Sequence, residues 1–169
     1  MRIDIGQRHI RSYRPADADA VARYAGNPNV WRNLRDAHPY TVPAATAWIR
    51  HSLRQRPETN FAIATDEEAI GGIGLGLQSD VHRDSAEIGY WLGEPYWGQG
   101  IATTALRALT EYAFTELDLN RLFAYVFEWN PASARVLEKA GYLCEGRLRK
   151  SAVKNGVTVD QLLYAIVRE

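Results

Sequence analysis

The stretch YWGQGIATTAL, residues 96–106, sets two glycines, Gly98 and Gly100, directly before a helical pattern. It follows SAEIGYWL, residues 85–92, whose alternating side chains predict a strand. A turn of small residues at the start of a helix presents backbone N–H groups at the positive end of the helix dipole. The stretch therefore predicts either a main-chain cradle for a phosphate or pyrophosphate, or no more than a tight turn from strand to helix.

The common nucleotide-binding motifs are incomplete in this chain. Residues 93–100, GEPYWGQG, have the glycine spacing of a Walker P-loop, but Gln99 and Gly100 stand where that motif has lysine and serine or threonine. Without those side chains there is no cation for a terminal phosphate and no hydroxyl for magnesium, which disfavours nucleotide hydrolysis. The glycine-rich run Ala69–Leu77 lacks the last glycine of the dinucleotide fingerprint, so we interpret it as a strand that another segment approaches closely.

Strand and helix periodicities alternate along the rest of the chain, which predicts a mixed α/β fold. Strands are predicted at residues 10–13, 61–65, 69–77, 85–92, 122–127, 142–149 and 157–167. Helices are predicted at residues 17–26 and 44–55, after Gly100, and between Asn130 and Gly141, which suit an N-cap and a C-terminal glycine. Because neither a repeat nor a linker interrupts these elements, we expect a single domain over residues 1–169.

The composition argues against several classes of protein. The 20 basic and 20 acidic side chains balance, which gives no general reason to expect nucleic acid as a partner. No segment approaches the roughly 18 apolar residues of a membrane span, so we expect a cytoplasmic protein with no membrane partner. The one cysteine, Cys144, forms no internal disulfide and is interpreted as a small buried side chain. The scattered histidines and the lack of an HExxH motif predict no metal site.

Residues 87–142 resemble the core of the GNAT N-acetyltransferases, and most of all the RimJ/RimL-type branch of ribosomal-protein N-terminal acetyltransferases. The family pattern Q/R-x-x-G-x-G/A is WGQGIA at residues 97–102, with Trp97 in place of glutamine or arginine. The second pattern, N-x-x-S/A followed by L/Y-E-K-x-G-F/Y, is NPASARVLEKAGY at residues 130–142. Two patterns in the family's order and spacing make the resemblance specific.

The resemblance implies a fold and a cosubstrate. The fold is α/β (α+β), with a mixed, mostly antiparallel central sheet of about seven strands, about four flanking helices and a splayed central parallel pair, here residues 85–92 and 122–127. The cosubstrate is acetyl-CoA, whose pyrophosphate the glycine turn grips through main-chain groups. Its expected contacts are Leu92, Trp97, Gly98, Gln99, Gly100, Ile101, Ala102, Thr103, Asn130 and Ser133.

The resemblance also implies the acid and base groups. Glu87 is the expected base, because family members often carry a carboxylate on this strand that receives the proton of the amine. The alternative is a structural carboxylate that bonds across the sheet. His82, just before the strand, is the second candidate base. Many members use a tyrosine as acid where this chain has Leu137, so Ser133 is the expected replacement, unless its hydroxyl only bonds locally in the first turn of its helix.

Acceptor recognition in this family falls to the loop of residues 29–41 and to the last hairpin. The expected acceptor contacts are Trp31, Arg35, His38, Tyr40, His82 and Asp160. Aromatic side chains in such a loop also serve as packing alone, and this alternative stays open.

The implied activity is acetyl transfer from acetyl-CoA to a primary amine, either a protein N-terminus or a small molecule, by direct attack in a ternary complex. The alternative is a non-catalytic acyl-CoA sensor that kept the cradle, since Trp97, Thr104 and Leu137 depart from the family patterns. The family often dimerises, so a homodimer is a further expectation.

Overall fold

The computed structural model describes residues 1–36 and 40–169, which form one mixed sheet with helices on both faces. Its strands are β1 (Arg2–Ile5), β2 (Arg8–Ser12), β3 (Asn60–Ala64), β4 (Ala69–Leu77), β5 (Ser85–Leu92), β6 (Arg121–Phe127), β7 (Leu143–Lys154) and β8 (Val157–Val167). The α-helices in these ranges are α1 (Ala18–Ala25), α2 (Pro28–Trp31), α3 (Val42–Arg54), α4 (Ile101–Thr115) and α5 (Pro131–Lys139). None of these helices has the length and apolar character that a membrane span requires.

The strand order β1-β2-β3-β4-β5-β6-β8-β7 contains one parallel pair in the described ranges, β5 with β6. This confirms the predicted mostly antiparallel sheet with a central parallel pair. The pairing joins Ser85, Ala86 and Glu87 to the first three residues of β6 and then stops, although both strands continue. On their outer sides β5 remains paired with β4, and β6 with β8. A cleft therefore opens between β5 and β6 beyond Glu87.

Two buried clusters lie on opposite faces of the sheet. One joins Leu106 and Leu109 of α4 and Leu137 of α5 to apolar side chains of the strands. The other is built by α1 and α3, with Val21 and Ile49 as large members. Because side chains alternate along a strand, β5 sends Ile88, Tyr90 and Leu92 towards α4 and α5, and Glu87, Gly89 and Trp91 towards the α1–α3 side.

The glycines of β4 allow close packing, as predicted. A Cβ on Gly72 would lie 2.4 Å from the indole nitrogen of Trp91 and 2.5 Å from the hydroxyl oxygen of Tyr13. Only a residue without a side chain lets these two aromatic residues cross the strand here.

The described residues form a sheet of eight strands rather than about seven, because β1 adds an edge. Residues 2–5, RIDI, pair with β2 through a turn in which Gly6 adopts a φ of 76°. Such a short strand has too few alternating residues to stand out in the sequence. A second difference is α2, where the Asn27 side chain accepts from the Asn29 N–H and Pro28 begins a helix inside a predicted loop.

The expectation for Cys144 is wrong. Its thiol is exposed, because β7 is an edge strand of the sheet and its first three residues are all exposed. β7 also runs to Lys154, five residues beyond the predicted end at residue 149, through an irregular register between Leu148 and Ala152.

A buried ion pair holds the entry into α1. Arg11 donates to both carboxylate oxygens of Asp17, at 2.7 and 2.8 Å, and the Arg14 N–H donates to the same carboxylate at 2.7 Å. The two charged side chains are 6% and 4% exposed. Burial raises the pKa of the Asp17 carboxyl, but the hydrogen bonds from Arg11 and Arg14 outweigh it and hold the pKa below its ordinary value.

We expect Asp17→Asn to lower the free energy of unfolding by about 3–5 kcal/mol, because it leaves Arg11 buried without its counter-charge. The stability advantage of the wild type over the variant should begin to shrink as the pH falls below about 4, because the unfolded chain takes up the Asp17 proton before the folded chain does, and it should be lost as the pH passes the lower folded-state pKa. Urea unfolding at about pH 7 and about pH 3 measures both effects. Asp19→Asn, an exposed position of α1, is the matched control and should change stability by less than about 1 kcal/mol. Equal losses in the two variants would contradict the ion-pair argument.

Candidate active site

The glycine turn between β5 and α4 is open to solvent. Gly98 and Gly100 have φ values of 72° and 77°, which side chains rarely adopt. A Cβ at either position would meet no atom within 4 Å, so space lies open outside the turn. The Thr104 N–H donates to the Gly100 carbonyl at 3.0 Å, and α4 begins at Ile101. The N–H groups of residues 101–103 have no main-chain acceptor in the described ranges.

This turn fits a pyrophosphate held by main-chain donors. Ile101, Ala102 and Thr103 are half-buried with their N–H groups at the helix start, where the helix dipole favours an anion. The Gln99 side chain is exposed, and its amide donates back to the Pro95 carbonyl at 3.2 Å. The donors offered to a ligand here therefore include the backbone amides of residues 101–103.

The cleft between β5 and β6 contains further unpaired main-chain groups. The Gly93 N–H donates to the Ile70 carbonyl at 2.8 Å, and the Ser85 carbonyl accepts from Gln78 at 3.0 Å. The odd-numbered residues of β5 thus face β4, so the main-chain groups of Tyr90 and Leu92 face β6. Because the β5–β6 pairing ends at Glu87, these two N–H groups have no acceptor within residues 1–36 and 40–169.

Ser133 and Tyr90 form a hydroxyl pair on the α5 side of the cleft. Their hydroxyl oxygens lie 2.8 Å apart, and the Tyr90 hydroxyl also lies 3.2 Å from the Ser133 carbonyl. The Asn130 side chain accepts from the Ser133 N–H at 3.3 Å, which confirms Asn130 as the N-cap of α5. Burial raises the pKa of Tyr90 to about 12, despite the hydrogen bond with Ser133, so the phenol stays protonated near neutral pH.

Glu87 lies on the other face of the sheet, at the closed end of the cleft. Its side chain is 24% exposed, and one Glu87 oxygen accepts from the Arg35 guanidinium at 3.4 Å. Arg35 and Glu87, two of the predicted site residues, are therefore brought together.

Aromatic side chains line β6 and the residues after it on the same face of the sheet as Glu87. Phe123 is the register partner of Glu87, and its ring meets that of Tyr125 edge-on at 5.7 Å. Phe127 stacks on Trp129 at 4.7 Å, and the Trp129 indole donates to the Asn33 side chain at 3.0 Å. These side chains are half-buried or exposed, so this face of β6 is accessible beside Glu87. The sequence predicts the strand but not that one of its faces is open.

The other predicted acceptor residues are dispersed. Trp31 ends α2, and Tyr40 packs against the α1–α3 cluster, where burial raises its pKa to about 12. His82 is exposed in a short 3-10 turn before β5, with no side-chain hydrogen bond to another described residue. His38 lies outside the described residues.

Asp160 is engaged inside the β7–β8 hairpin. Its carboxylate accepts from the Lys150 N–H and from Arg147, each at 2.7 Å, and these bonds hold its pKa below the ordinary value. Arg147 also donates to Glu128 at 2.8 Å. Among the described residues, no three His, Cys, Asp or Glu side chains form a group that could hold a metal ion. Absence of a metal stays a prediction.

Two residues of this region, Tyr90 and Lys154, are not among those predicted from the sequence. Lys154, at the end of β7, is buried, and its ammonium group bonds to main-chain carbonyls of the loop after α2. The alternation of β5 places Tyr90 on the α5 side, which was a usable signal for its contact with Ser133. For Lys154 the sequence carries no such signal, because its partners come from a segment near the other end of the chain.

A sequence profile of the acetyltransferase (GNAT) domain matches residues 8–143, which is most of the chain. The chain belongs to the GNAT acetyltransferase family. It is therefore an acyltransferase, and the open glycine turn and the splayed strands are the parts of its GNAT fold that lie beside the predicted site residues.

Individual relatives support the same assignment. The putative ribosomal N-acetyltransferase YdaF of Bacillus subtilis is 39% identical in an alignment that covers 94% of this chain and 90% of YdaF. Spermidine N(1)-acetyltransferase of Escherichia coli is 31% identical over 148 residues, which cover 87% and 78% of the two chains. The solved structure of Mycobacterium smegmatis RimJ in complex with CoA-disulfide matches with a TM-score of 0.85 at 28% identity, over 98% of this chain and 84% of that chain.

The positions where this GNAT acetyltransferase departs from the family patterns have local structural roles. The Trp97 indole donates to the Leu92 carbonyl at 2.7 Å, which satisfies that carbonyl but not the Leu92 N–H, which has no acceptor among the described residues. The Thr104 hydroxyl donates to the Gly100 carbonyl at 3.1 Å and closes the first turn of α4. Leu137 is fully buried in the core, while Ser133 on α5 and Tyr90 on β5 bring hydroxyl groups to this side of the cleft.

We expect Gly100→Ala to weaken CoA binding, because its Cβ would enter the open space outside the turn and strain the left-handed backbone. Gly6→Ala is the matched control: Gly6 has a φ of 76° against 77° for Gly100, and a Cβ there also meets nothing within 4 Å. Each variant should lose about 1–2 kcal/mol of stability from the left-handed backbone. Calorimetric titration with CoA should show weaker binding for Gly100→Ala alone. Equal CoA affinities in the two variants would count against a ligand at this turn.

Proposed function

We propose that this acetyltransferase moves the acetyl group of acetyl-CoA to a primary amine by direct attack in a ternary complex. When bound, acetyl-CoA supplies the acetyl group as an activated thioester. The observation that carries the proposal is the early end of the β5–β6 pairing. It leaves the N–H groups of Tyr90 and Leu92, between Glu87 and the glycine turn, without an acceptor in the described part of the chain.

On the cosubstrate side, residues 98–103 would hold the pyrophosphate with backbone amides, and Asn130 and Ser133 at the start of α5 would flank the pantetheine arm. The Leu92 N–H would donate to the acetyl carbonyl oxygen. A fixed donor at that oxygen stabilises the negative charge that develops when an amine attacks. The Trp97 indole supports this arrangement because it occupies the Leu92 carbonyl and keeps the end of β5 in place.

On the acceptor side, Glu87 would receive the proton of the attacking amine, directly or through water. Glu87 faces the α1–α3 side of the sheet, so the amine would enter from the face opposite the Tyr90–Ser133 pair. The aromatic side chains of Phe123 and Tyr125 lie next to Glu87 and offer apolar surface to the carbon skeleton of the acceptor.

Ser133 would donate a hydrogen bond to the departing sulfur rather than act as an independent acid. The Tyr90 hydroxyl can donate to the hydroxyl oxygen of Ser133, which leaves the hydroxyl proton of Ser133 free to point into the cleft. A phenol with a pKa of about 12 does not give up its proton near neutral pH, so its role is to orient the Ser133 hydroxyl.

The proposal leaves two acceptor classes to test, a protein N-terminus and a small-molecule amine. One relative is named as a putative ribosomal N-acetyltransferase and another as a spermidine acetyltransferase, so both classes occur among relatives of this chain. The deciding experiment supplies acetyl-CoA with a panel of peptides, amino acids and polyamines, follows thiol release, and identifies acetylated products by mass spectrometry. CoA binding without thiol release for every acceptor would instead favour the sensor.

We expect Glu87→Gln to lower kcat by about a hundredfold or more, because the variant keeps the shape of the side chain and loses the base. CoA affinity should stay near the wild-type value. Glu145→Gln is the control, since Glu145 also pairs with an arginine on the sheet, Arg121, but lies away from the cleft. Steady-state kinetics with one accepted amine measures the effect, and an unchanged kcat would remove Glu87 from the mechanism.

Ser133→Ala and Tyr90→Phe should each lower kcat by about five- to tenfold, the value of one hydrogen bond, and leave CoA affinity unchanged. The double variant should be no slower than the slower single variant, because Tyr90 acts through Ser133. Since Tyr90 has a raised pKa of about 12, its ionisation should cause no loss of rate as the pH rises to about 10. Multiplicative losses in the double variant would show that the two hydroxyls act separately.

A further inference from the structure

Lys154 has no part in the roles proposed above, yet it is a buried cation whose ammonium group is hydrogen-bonded to main-chain carbonyls of a distant loop. It is 5% exposed. Its Nζ donates to the carbonyls of Leu34 and Asp36, each at 2.6 Å, and to that of Trp31 at 3.4 Å. The same nitrogen lies 4.3 Å from the centre of the Trp31 ring. The three donors of the ammonium group are thus matched by three main-chain oxygens.

The environment of Lys154 makes this contact costly to break. Burial lowers the pKa of the amine, while the nearby Asp36 carboxylate opposes that shift. The carbonyl dipoles and the Trp31 ring compensate the charge in place of water. Removing the ammonium group would take away the buried donor that these carbonyls share. The hydrogen bonds of Lys154 therefore hold the loop of residues 31–36 against the end of β7.

Arg35 lies between the two residues whose carbonyls Lys154 holds most closely. Its backbone is fixed on both sides, while its side chain is 78% exposed and donates to Glu87 at 3.4 Å. A single long hydrogen bond at an exposed position is weak and readily exchanged for another partner. The Arg35 guanidinium is therefore a positive charge on an anchored backbone. It lies beside Glu87, the proposed base, on the face of the sheet from which the amine would enter.

We propose that Lys154 is a positioning residue that holds Arg35 over Glu87, and that Arg35 selects the acceptor by the charge next to its amine. This inference rests on the proposed function. The guanidinium attracts a carbonyl or carboxylate oxygen close to the amine, as a peptide N-terminus provides. It repels a second ammonium group, as a polyamine carries. The acceptor class is therefore an amine with an adjacent carbonyl group.

The first test compares two acceptors, a short uncharged peptide with a free N-terminus and spermidine. Arg35→Gln removes the charge at an exposed position, where the fold should tolerate the change. We expect kcat/KM for the peptide to fall about tenfold, mainly through KM, as one charged hydrogen bond is lost. We expect kcat/KM for spermidine to rise. An unchanged ratio between the two acceptors overturns the proposal, whatever other variants do.

The second test asks whether Lys154 acts through Arg35. Lys154→Met keeps an unbranched side chain and removes the charge, and it should shift the acceptor ratio in the same direction as Arg35→Gln while CoA affinity stays constant. The double variant should shift the ratio no further than Arg35→Gln alone. Lys150→Met, an exposed position of the same strand, is the control and should behave as wild type. Effects that multiply, or a Lys154→Met variant with an unchanged ratio, overturn the positioning role.

The wild-type measurements separate this inference from the proposed function. If the wild-type protein acetylates neither these acceptors nor any amine of the wider panel, the proposed function is wrong, and so is this inference, which rests on it. If the wild-type protein is active and the variants leave the acceptor ratio unchanged, only the inference about Lys154 and Arg35 fails.

Discussion

The divergence of β5 and β6 after Glu87 is the constraint on which the rest of the site depends. Unpaired main-chain groups inside a sheet cost free energy. The gap between β5 and β6 therefore persists only if each strand is held by its neighbour on the other side. β4 pairs with β5 as far as Leu92, and β8 pairs with every residue of β6. The two strands are thereby held by their outer neighbours while their inner edges stay apart, and the Trp97 indole satisfies one of the exposed carbonyls.

The parts that could be predicted from the sequence are those with local chemical signals. The strands Ala69–Leu77 and Ser85–Leu92 begin and end as predicted, because clear alternation ends at turn residues. Asn130 caps α5, and Gly98 and Gly100 lie in a turn from strand to helix, as their position before α4 predicted. The order of two family patterns was sufficient for the fold, since GNAT proteins share one arrangement of these elements.

The parts that could not be predicted depend on contacts between distant segments. Tyr90 and Ser133 are 43 positions apart, and Lys154 meets the carbonyl of Asp36 across 118 positions. Alternation places Tyr90 on the α5 side of β5 but does not identify Ser133 as its partner. For Lys154 the sequence carries no signal, because periodicity and capping rules describe only neighbours along the chain. Cys144 shows the same limit, because whether a strand lies at the edge of a sheet is decided by the order of all the strands.

The placement of Glu87 and the Tyr90–Ser133 pair on opposite faces of β5 has a consequence for the order of binding. On the proposed assignment, the thioester and the amine approach the gap from opposite sides of the sheet and meet only across the thickness of one strand. Neither ligand then covers the route of the other. Such a geometry favours a random sequence of association over a compulsory one, and it lets acetylated product and free thiol depart independently.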